Sequence, residues 1–279
     1  MDVLHSIAAL RERLQDLSGI AFVPTMGNLH AGHLALIRIA RAQSSPVVAS
    51  IFVNPLQFGP HDDFEKYPRT LEADCAQLRA AGCDVVFAPS AQELYAVPQS
   101  MQITPSAIAD DLCGKYRPGH FQGVLTVVAK LFNIVQPAVA VFGKKDYQQL
   151  TLIRALVRQF NFPIHILAGE TVRADDGLAL SSRNGYLSRE DRAQAPRLYQ
   201  TLQKIAQGLS TDECDYAALE NNARLALEKN NWRVDYIAIR EAESLLLPTP
   251  ATTRWVVLGA AWLGETRLID NVESTHTFP

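Results

Sequence analysis

The chain has 279 residues, 48% of them hydrophobic and 20% charged, with 26 basic residues against 29 acidic ones and a formal net charge of -3. That size carries one large domain or two ordinary ones, and the composition is that of a folded globular protein with ample core. The near balance of charge, with no basic block, argues against a nucleic-acid surface, and no apolar run approaches the ~20 residues that span a bilayer.

The four cysteines, Cys75, Cys83, Cys113 and Cys214, have no C-x-x-C spacing, which points to free, mostly buried thiols in a reducing compartment. Met1-Asp2 opens the chain with an acid, and Arg11, Glu12 and Arg13 interrupt the first apolar pattern. That is unlike a signal peptide, and the expected location is cytoplasmic.

Val3, Ile7, Leu10 and Leu14 step by four, three and four, which predicts an amphipathic first helix. Ser18-Gly19 ends it, and residues 20–23 read as a buried strand. A helix begins near Gly32 with Leu34, Ile37 and Ile39, and residues 47–53 form another apolar run, suited to a parallel strand covered on both faces. The loop Asn54-Pro55-Leu56-Gln57-Phe58-Gly59 closes it. His61-Asp62-Asp63 reads as a solvated loop, 71–81 as a helix and 85–87 as a strand. Residues 89–110, with Pro89, Pro98 and Pro105, read as irregular connection with short strand pieces. A strongly apolar helix covers 121–135, a strand 138–142, a helix 147–160 and a strand 164–167. Strands alternating with helices predict right-handed βαβ units. The expected fold is therefore α/β, a Rossmann-like doubly wound parallel sheet.

Near Arg173 the texture changes. A polar loop with an apolar middle, 174–185, precedes helical patterns at 189–208 and 215–229 and strand-like runs at 234–239, 255–258 and 266–269. The expected division is a first domain at 1–173 and a smaller C-terminal α+β domain at 174–279.

The stretch Pro24-Thr25-Met26-Gly27-Asn28-Leu29-His30-Ala31-Gly32-His33 joins strand to helix through a glycine-containing turn. Backbone N–H groups and a helix N-terminus meeting at one point suit a phosphate. His30 and His33 then lie on neighbouring parts of one helix face and can donate to oxygens that gain charge during nucleotidyl chemistry. Three plainer readings compete. A zinc pair lacks a third ligand. Gly27 and Gly32 have the spacing of a P-loop, but His33 stands where lysine is required and Leu34 where a hydroxyl should meet magnesium. A structural turn with incidental histidines fits the stretch alone about as well as nucleotide binding.

Four loops at successive strand ends, 24–33, 54–58, 143–149 and 180–183, crowd one crevice in such a sheet. They bring His30, His33, Asn54, Gln57, Lys145, Asp146, Gln149, Ser181, Ser182 and Arg183, and Arg117 and His120 can join them. Singly, Lys144-Lys145 reads as a solvated turn, Ser181-Ser182-Arg183 as an exposed loop and Gln148-Gln149 as helix surface. Jointly they offer many donors and one carboxylate, which suits a polyphosphate with magnesium. No G-x-G-x-x-G or G-x-S-x-G pattern points to hydride transfer or a serine nucleophile.

Along nearly its whole length the chain resembles the pantothenate synthetases, the AMP-forming pantoate–β-alanine ligases. The resemblance rests on PTMGNLHAGH at 24–33, SIFVNPLQF at 50–58, Tyr67-Pro68-Arg69, RPGHFQGV at 117–124, FGKKDYQQ at 142–149 and DGLALSSRN at 176–184. His30-Ala31-Gly32-His33 is also similar to the H-x-G-H signature of the wider nucleotidyltransferase superfamily.

The resemblance implies a two-step reaction. The carboxylate of (R)-pantoate attacks the α-phosphorus of ATP to give pantoyl adenylate and pyrophosphate, and β-alanine then displaces AMP. Magnesium accompanies the ATP, with no protein ligand assigned to it, and the family forms homodimers. By position, Met26, Gly27, Asn28, Leu29, His30, Ala31, Gly32 and His33 are expected to line the ATP site. Gly143, Lys144, Lys145, Asp146, Val172, Leu180, Ser181, Ser182 and Arg183 join them. Gln57 and Gln149 are expected to hold pantoate, and Gln57 and Asn54 to meet β-alanine. The implied catalytic set is His33, His30, Lys145 and Arg183, with His33 matching the residue usually assigned as proton donor. The 181–183 loop is expected to close over the triphosphate as a gate. Where the family usually has Gly-Glu-Lys-Asp, this chain has Gly143-Lys144-Lys145-Asp146, so a base replaces an acid beside the phosphate site.

Three alternatives stand beside this expectation. Another adenylyl-transferring enzyme of the superfamily would want more arginine or lysine for a phosphate-bearing acceptor than Gln57 and Gln149 supply. A non-catalytic nucleotide-binding module would not need both imidazoles and Lys145. A tRNA-charging enzyme fits neither the charge balance nor the absence of an anticodon-binding extension.

Overall fold

The computed structural model describes residues 1–60, 62–209 and 215–275. It opens with a strand, β1 (Asp2–Leu4), followed by α1 (Ile7–Leu14), β2 (Ala21–Thr25), α2 (Ala31–Gln43), β3 (Val47–Ile51), α3 (Leu71–Ala81) and β4 (Val85–Phe87). Two short helices, α4 (Ala91–Leu94) and α5 (Cys113–Tyr116), lead to α6 (His120–Val135), β5 (Val139–Gly143), α7 (Tyr147–Gln159) and β6 (His165–Gly169). Beyond come α8 (Arg189–Gln194), α9 (Arg197–Gly208), α10 (Tyr216–Glu228), β7 (Arg233–Glu241), β8 (Arg254–Leu263) and β9 (Thr266–Thr275).

The first six strands form one parallel sheet in the order β1-β4-β3-β2-β5-β6. Alternation along each strand feeds two cores. Phe22, Val48, Phe87 and Ala140 face α1, α6 and α7. Ala21, Val23, Val47, Ala49 and Val141 face α2 and α3, where Leu36, Ile37 and Leu78 meet them. From β2 the chain builds outward through β3 and β4, then returns to lay β5 on the other side of β2. The carboxyl ends of β2 and β5 thus flank the point where strand order reverses, the position at which open α/β sheets hold ligands.

The last three strands form an antiparallel sheet, β7-β8-β9. Ile239, Val257 and Leu268 pack against Leu198, Leu202 and Leu227 of the helices on one face. On the other, Ala238, Val256 and Leu258 meet Leu112 and Tyr147 of the larger body. Among the described residues no helix is long and apolar enough to cross a membrane.

Several elements depart from their sequence reading. Val3, placed above in the first helix, lies in β1 and pairs with Val86; the four-three-four step includes it by coincidence, because Ser6 caps α1 after it by accepting from Ala9 N–H. Residues 89–110 hold α4 and a 3-10 turn (Ala107–Asp110) where short strand pieces were expected. The pattern at 189–208 breaks between α8 and α9 at Pro196, whose missing N–H interrupts the helical ladder. The three late strands run several residues beyond their apolar stretches because partners on both sides of β8 extend the ladder. Cys75, Cys83 and Cys113 are free thiols, while Cys214 lies outside the described residues.

Candidate active site

The turn after β2 is held from within. Thr25 Oγ1 donates to Ser50 O at 2.7 Å and accepts from Gly27 N–H at 3.2 Å. Gly27 has φ +85°, and a Cβ there would come within 3.0 Å of both Asp74 Oδ2 and Ile51 Cγ2, so glycine is required on two counts. The N–H groups of Asn28 and Leu29 donate to the two carboxylate oxygens of Asp74 at 2.9 and 2.8 Å. Asp74 itself is 1% exposed and also accepts from Thr70 Oγ1 at 3.1 Å. The amide cradle expected from sequence is therefore turned toward Asp74. Pro24, Thr25, Met26, His30, Gly32 and His33 line the cavity here, whereas Gly27, Asn28, Leu29 and Ala31 are absent from its wall and shape the turn behind it.

His30 is the N-cap of α2, with Gly32 N–H donating to its Nδ1 at 3.1 Å. His33 returns the favour, its Nδ1 accepting from His30 N–H at 3.3 Å. The rings lie 4.1 Å apart between centroids. A nitrogen that accepts from a backbone N–H carries no proton, so each neutral ring keeps its hydrogen on Nε2. Burial, reinforced by the charge of Lys145, lowers the His30 pKa to about 4. Burial, and then His30, lowers that of His33 to about 3. At neutral pH both are uncharged hydrogen-bond donors. That suits contact with phosphate oxygens better than proton donation by an imidazolium.

Because β5 lies beside β2, its terminal segment enters the same space. Gly143, Lys145, Asp146, Gln149, Val172, Leu180, Ser181, Ser182 and Arg183 join the two histidines around a cavity of about 230 Å³. An adjoining cavity of about 820 Å³ shares Lys145, Asp146, Gln149, Ser181 and Arg183 with it. Lys144 lines neither. Its Nζ sits 2.6 Å from Glu170 and 2.5 Å from Glu273, bridging the two sheets. Burial depresses its pKa, but the hydrogen bonds to both carboxylates more than offset that and raise it. Lys145 thus stands at the cavities, and Lys144 belongs to the scaffold rather than to a solvated turn.

The 181–183 segment is tied to both neighbouring loops. Ser182 Oγ donates to Asn28 O at 3.0 Å. Arg183 makes a two-pronged pair with Asp63, Nε to Oδ2 at 3.0 Å and Nη2 to Oδ1 at 2.7 Å. Asp62 similarly accepts from Arg117 Nη2 at 2.7 Å. The loop read as solvated is thus pinned by two guanidiniums, one each from distant parts of the chain. His61 lies outside the described residues.

On the remaining side Asn54 is 1% and Gln57 9% exposed. Asn54 Nδ2 donates to Gln57 Oε1 at 3.1 Å, and Gln57 Nε2 approaches Met26 Sδ at 3.2 Å. Both line the smaller cavity, as Gln149 does. Arg117 and His120 line the larger one and brace the loop, His120 Nδ1 bonding Gln57 O at 2.8 Å and Arg117 Nη1 contacting His120 Nε2 at 3.1 Å. Burial, and then Arg117, lowers the His120 pKa to about 3. Gln148, read as helix surface, is 3% exposed and donates to Ile108 O and Asp111 O at 2.8 and 2.9 Å. Its role is to anchor the connection before α5.

Sequence reading missed Asp74 and Tyr95 and gave Tyr67 no role. Tyr67 lines the smaller cavity, and Tyr95 Oη donates to Asn54 Oδ1 at 2.7 Å. No local signal marks Asp74 or Tyr95, since their contacts span 46 and 41 residues. Tyr67 sits beside Pro68-Arg69, the one hint available.

A pantoate-beta-alanine ligase family model matches residues 2–273 of the chain. A pantothenate synthetase of Thiobacillus denitrificans is 59% identical over 276 residues, 99% of this chain and 98% of that protein. One from Nitrosospira multiformis is 59% identical over 275 residues, 99% of each. Among solved structures, pantothenate synthetase from Thermus thermophilus superposes with a TM-score of 0.92 at 44% identity, covering 98% of this chain and 99% of that one. The Francisella tularensis pantoate-beta-alanine ligase, complexed with beta-gamma ATP and beta-alanine, gives 0.81 at 36% identity, covering 98% and 97%.

Proposed function

The chain belongs to the pantoate–β-alanine ligase family, and from that premise we propose that it joins (R)-pantoate to β-alanine in two steps within the paired cavities. It is an ATP-dependent ligase. In the first step a carboxylate oxygen of pantoate bonds to the α-phosphorus of ATP and the bond to the β-phosphate bridge breaks, releasing pyrophosphate. In the second, the unprotonated amine of β-alanine bonds to the acyl carbon of the adenylate. AMP leaves with the electrons of the acyl C–O bond, and the amine's proton passes to solvent. Adenylation is needed because a carboxylate is a poor acylating agent.

One observation carries this reading: β2 and β5 are neighbours, so the histidine pair and Lys145-Asp146 meet at one cavity, with Gln57 and Gln149 lining it too. The division of labour follows from charge. His30 and His33 supply neutral Nε2–H donors to phosphate oxygens, and Lys145 and Arg183 supply positive charge as negative charge moves onto the leaving pyrophosphate. Gln57 and Gln149 hold the small hydroxy acid with neutral hydrogen bonds, and Asn54 stands beside Gln57 where the amine must arrive. The chemistry is chiefly positioning and charge stabilisation. The same reading takes 1–173 and 174–279 as two domains meeting at the cavities, and the protein as a homodimer.

Among the described residues no group of three or more His, Cys, Asp and Glu side chains stands close enough to hold a metal ion. Magnesium normally binds through one or two carboxylates plus substrate phosphates, and Asp146, the carboxylate lining both cavities, fits that requirement. When bound, the ion would draw charge from the triphosphate oxygens; Asp146 would be its protein partner.

The experiment is purified protein with ATP, magnesium and (R)-pantoate, with and without β-alanine. The expected result is pyrophosphate in both mixtures and AMP only in the second. Release of AMP without β-alanine, or no pyrophosphate until β-alanine is added, would overturn the two-step order.

A further inference from the structure

We propose that Tyr95 is a positioning residue which, through Asn54, fixes the side-chain amide of Gln57 as a hydrogen-bond donor toward the oxygens of the hydroxy acid. The inference rests on the reading above that Gln57 meets that acid.

The orientation of the relay is set by groups with no choice of role. Leu56 N–H can only donate, and it donates to Asn54 Oδ1 at 3.3 Å. Gly123 C=O can only accept, and it accepts from Asn54 Nδ2 at 3.2 Å. The Asn54 amide therefore cannot be turned over. Its Nδ2 has a second hydrogen, directed at Gln57 at 3.1 Å, so the atom of Gln57 in that contact is its oxygen. The Gln57 nitrogen is left on the Met26 side, where a thioether is a weak acceptor and leaves N–H capacity for a ligand in the cavity.

Tyr95 supplies the shortest contact of this set, 2.7 Å from Oη to Asn54 Oδ1. Its hydroxyl must donate, because Oδ1 only accepts, and burial raises its pKa so that it remains protonated. Tyr95 lines neither cavity and so acts through Asn54. Its ring packs on Phe52 at 5.9 Å and under the Lys130 ammonium at 4.9 Å, contacts that phenylalanine would keep. A site that presents fixed N–H donors favours an anionic or hydroxyl oxygen and disfavours a ligand that would itself donate there.

The test is Tyr95→Phe, read as the KM for each substrate separately. Loss of the shortest bond leaves Asn54 held only by the longer contacts to Leu56 and Gly123, so its amide keeps its sense but Asn54 and Gln57 are placed less tightly, and the expected KM for pantoate rises roughly three- to tenfold. The KM for ATP should be unchanged, and the thermal midpoint should fall by no more than a few degrees. Gln57→Glu, which can only accept, should raise the KM for pantoate further, and adding Tyr95→Phe to it should have no additional effect. Asn54→Asp gives a second route: the new carboxylate would draw the Gln57 nitrogen away from the cavity and raise the same KM. If Gln57→Glu leaves the KM for pantoate unchanged, the acid does not bind there and the reading beneath the relay falls. If Gln57→Glu raises it while Tyr95→Phe does not, the acid's place stands and the relay is overturned. An equal rise for ATP and pantoate in Tyr95→Phe also overturns it, since a loosened scaffold would do that.

Discussion

Arg183 and Asp63 hold each other through two parallel hydrogen bonds, 3.0 and 2.7 Å, across 120 residues of chain. Burial works to raise the Asp63 pKa, but the bond and charge of Arg183 more than offset it and leave the carboxyl below its ordinary value. The guanidinium assigned to the triphosphate is thus already satisfied by a carboxylate. To meet phosphate it must share or exchange that partner.

Asp63→Asn should therefore tighten ATP. The pair is partly exposed, 30% and 23% at its two side chains, so the competition is modest, worth about 0.2–1 kcal/mol or up to about a fivefold lower KM for ATP. Steady-state kinetics with ATP varied at saturating pantoate and β-alanine would show it. A raised KM would mean that Asp63 holds Arg183 in its working position.

The pinning also explains what was legible in the sequence. Element type and order were readable over most of the parallel sheet because buried strands are continuous apolar runs and their helices are periodic, as at 71–81 and 85–87. Which loops share a cavity followed from strand order at the β2–β5 reversal. Side-chain pairing was not legible. Asp62 and Asp63 look like a solvated turn until Arg117 and Arg183 are brought to them from 55 and 120 residues away. Asp74 similarly takes two N–H groups from the turn that local reasoning assigned to phosphate.

Acid should destabilise the protein early. His30, His33 and His120 have pKa values lowered from 6.5 to about 4, 3 and 3. The unfolded chain binds their protons first as pH falls, so the stability present above pH 6.5 is lost progressively below it. Each group contributes a slope of up to about 1.4 kcal/mol per pH unit inside its window. The lowered carboxylates Asp62, Asp63 and Glu273 have ordinary values of 3.8, 3.8 and 4.5, so the loss of their contribution begins only near and below those values. Urea unfolding at pH 7.5 and 5.5 should show a clear drop, smaller in His120→Gln, whose amide can still donate to Gln57 O. Equal stability at the two pH values would show that these rings protonate freely in the fold.

Gly123 marks the closest approach of α6 to the loop that carries Asn54 and Gln57. A Cβ at this position would lie 2.1 Å from Leu56 O and 2.7 Å from Gln57 N. Both are backbone atoms, so the loop must move. Gly123→Ala should cost about 1–3 kcal/mol, as overpacking does, and raise the KM for pantoate more than that for ATP. Gly208→Ala, at the end of α9 with nothing within 4 Å of the added carbon, is the control and should leave both KM values unchanged and stability equal or slightly raised, because alanine suits a helix better than glycine. Equal effects from the two substitutions would show that helix propensity, and not the close approach, is being measured.

The consecutive lysines should separate cleanly. Lys145 faces both cavities, and a unit charge 4 Å from a phosphate oxygen at an effective dielectric of ~20 interacts by roughly 4 kcal/mol before desolvation. Lys145→Ala should slow pyrophosphate formation from ATP and pantoate, assayed without β-alanine, on the order of a hundredfold or more. Lys144 lines neither cavity and is held by Glu273 and by Glu170, which itself stands at the wall of the smaller one. Removing it leaves the half-buried Glu273 with Tyr147 Oη, which donates to it at 3.0 Å. The Glu273 pKa, which burial pushes up and Lys144 pulls down, should then rise. Lys144→Ala should therefore lower stability by about 1 kcal/mol while pyrophosphate forms within about threefold of the normal rate, less than a lost phosphate contact would cost. If Lys144→Ala is the slower enzyme, the register of Gly143-Lys144-Lys145-Asp146 against the phosphates is off by one residue, and the roles of the two lysines must be exchanged.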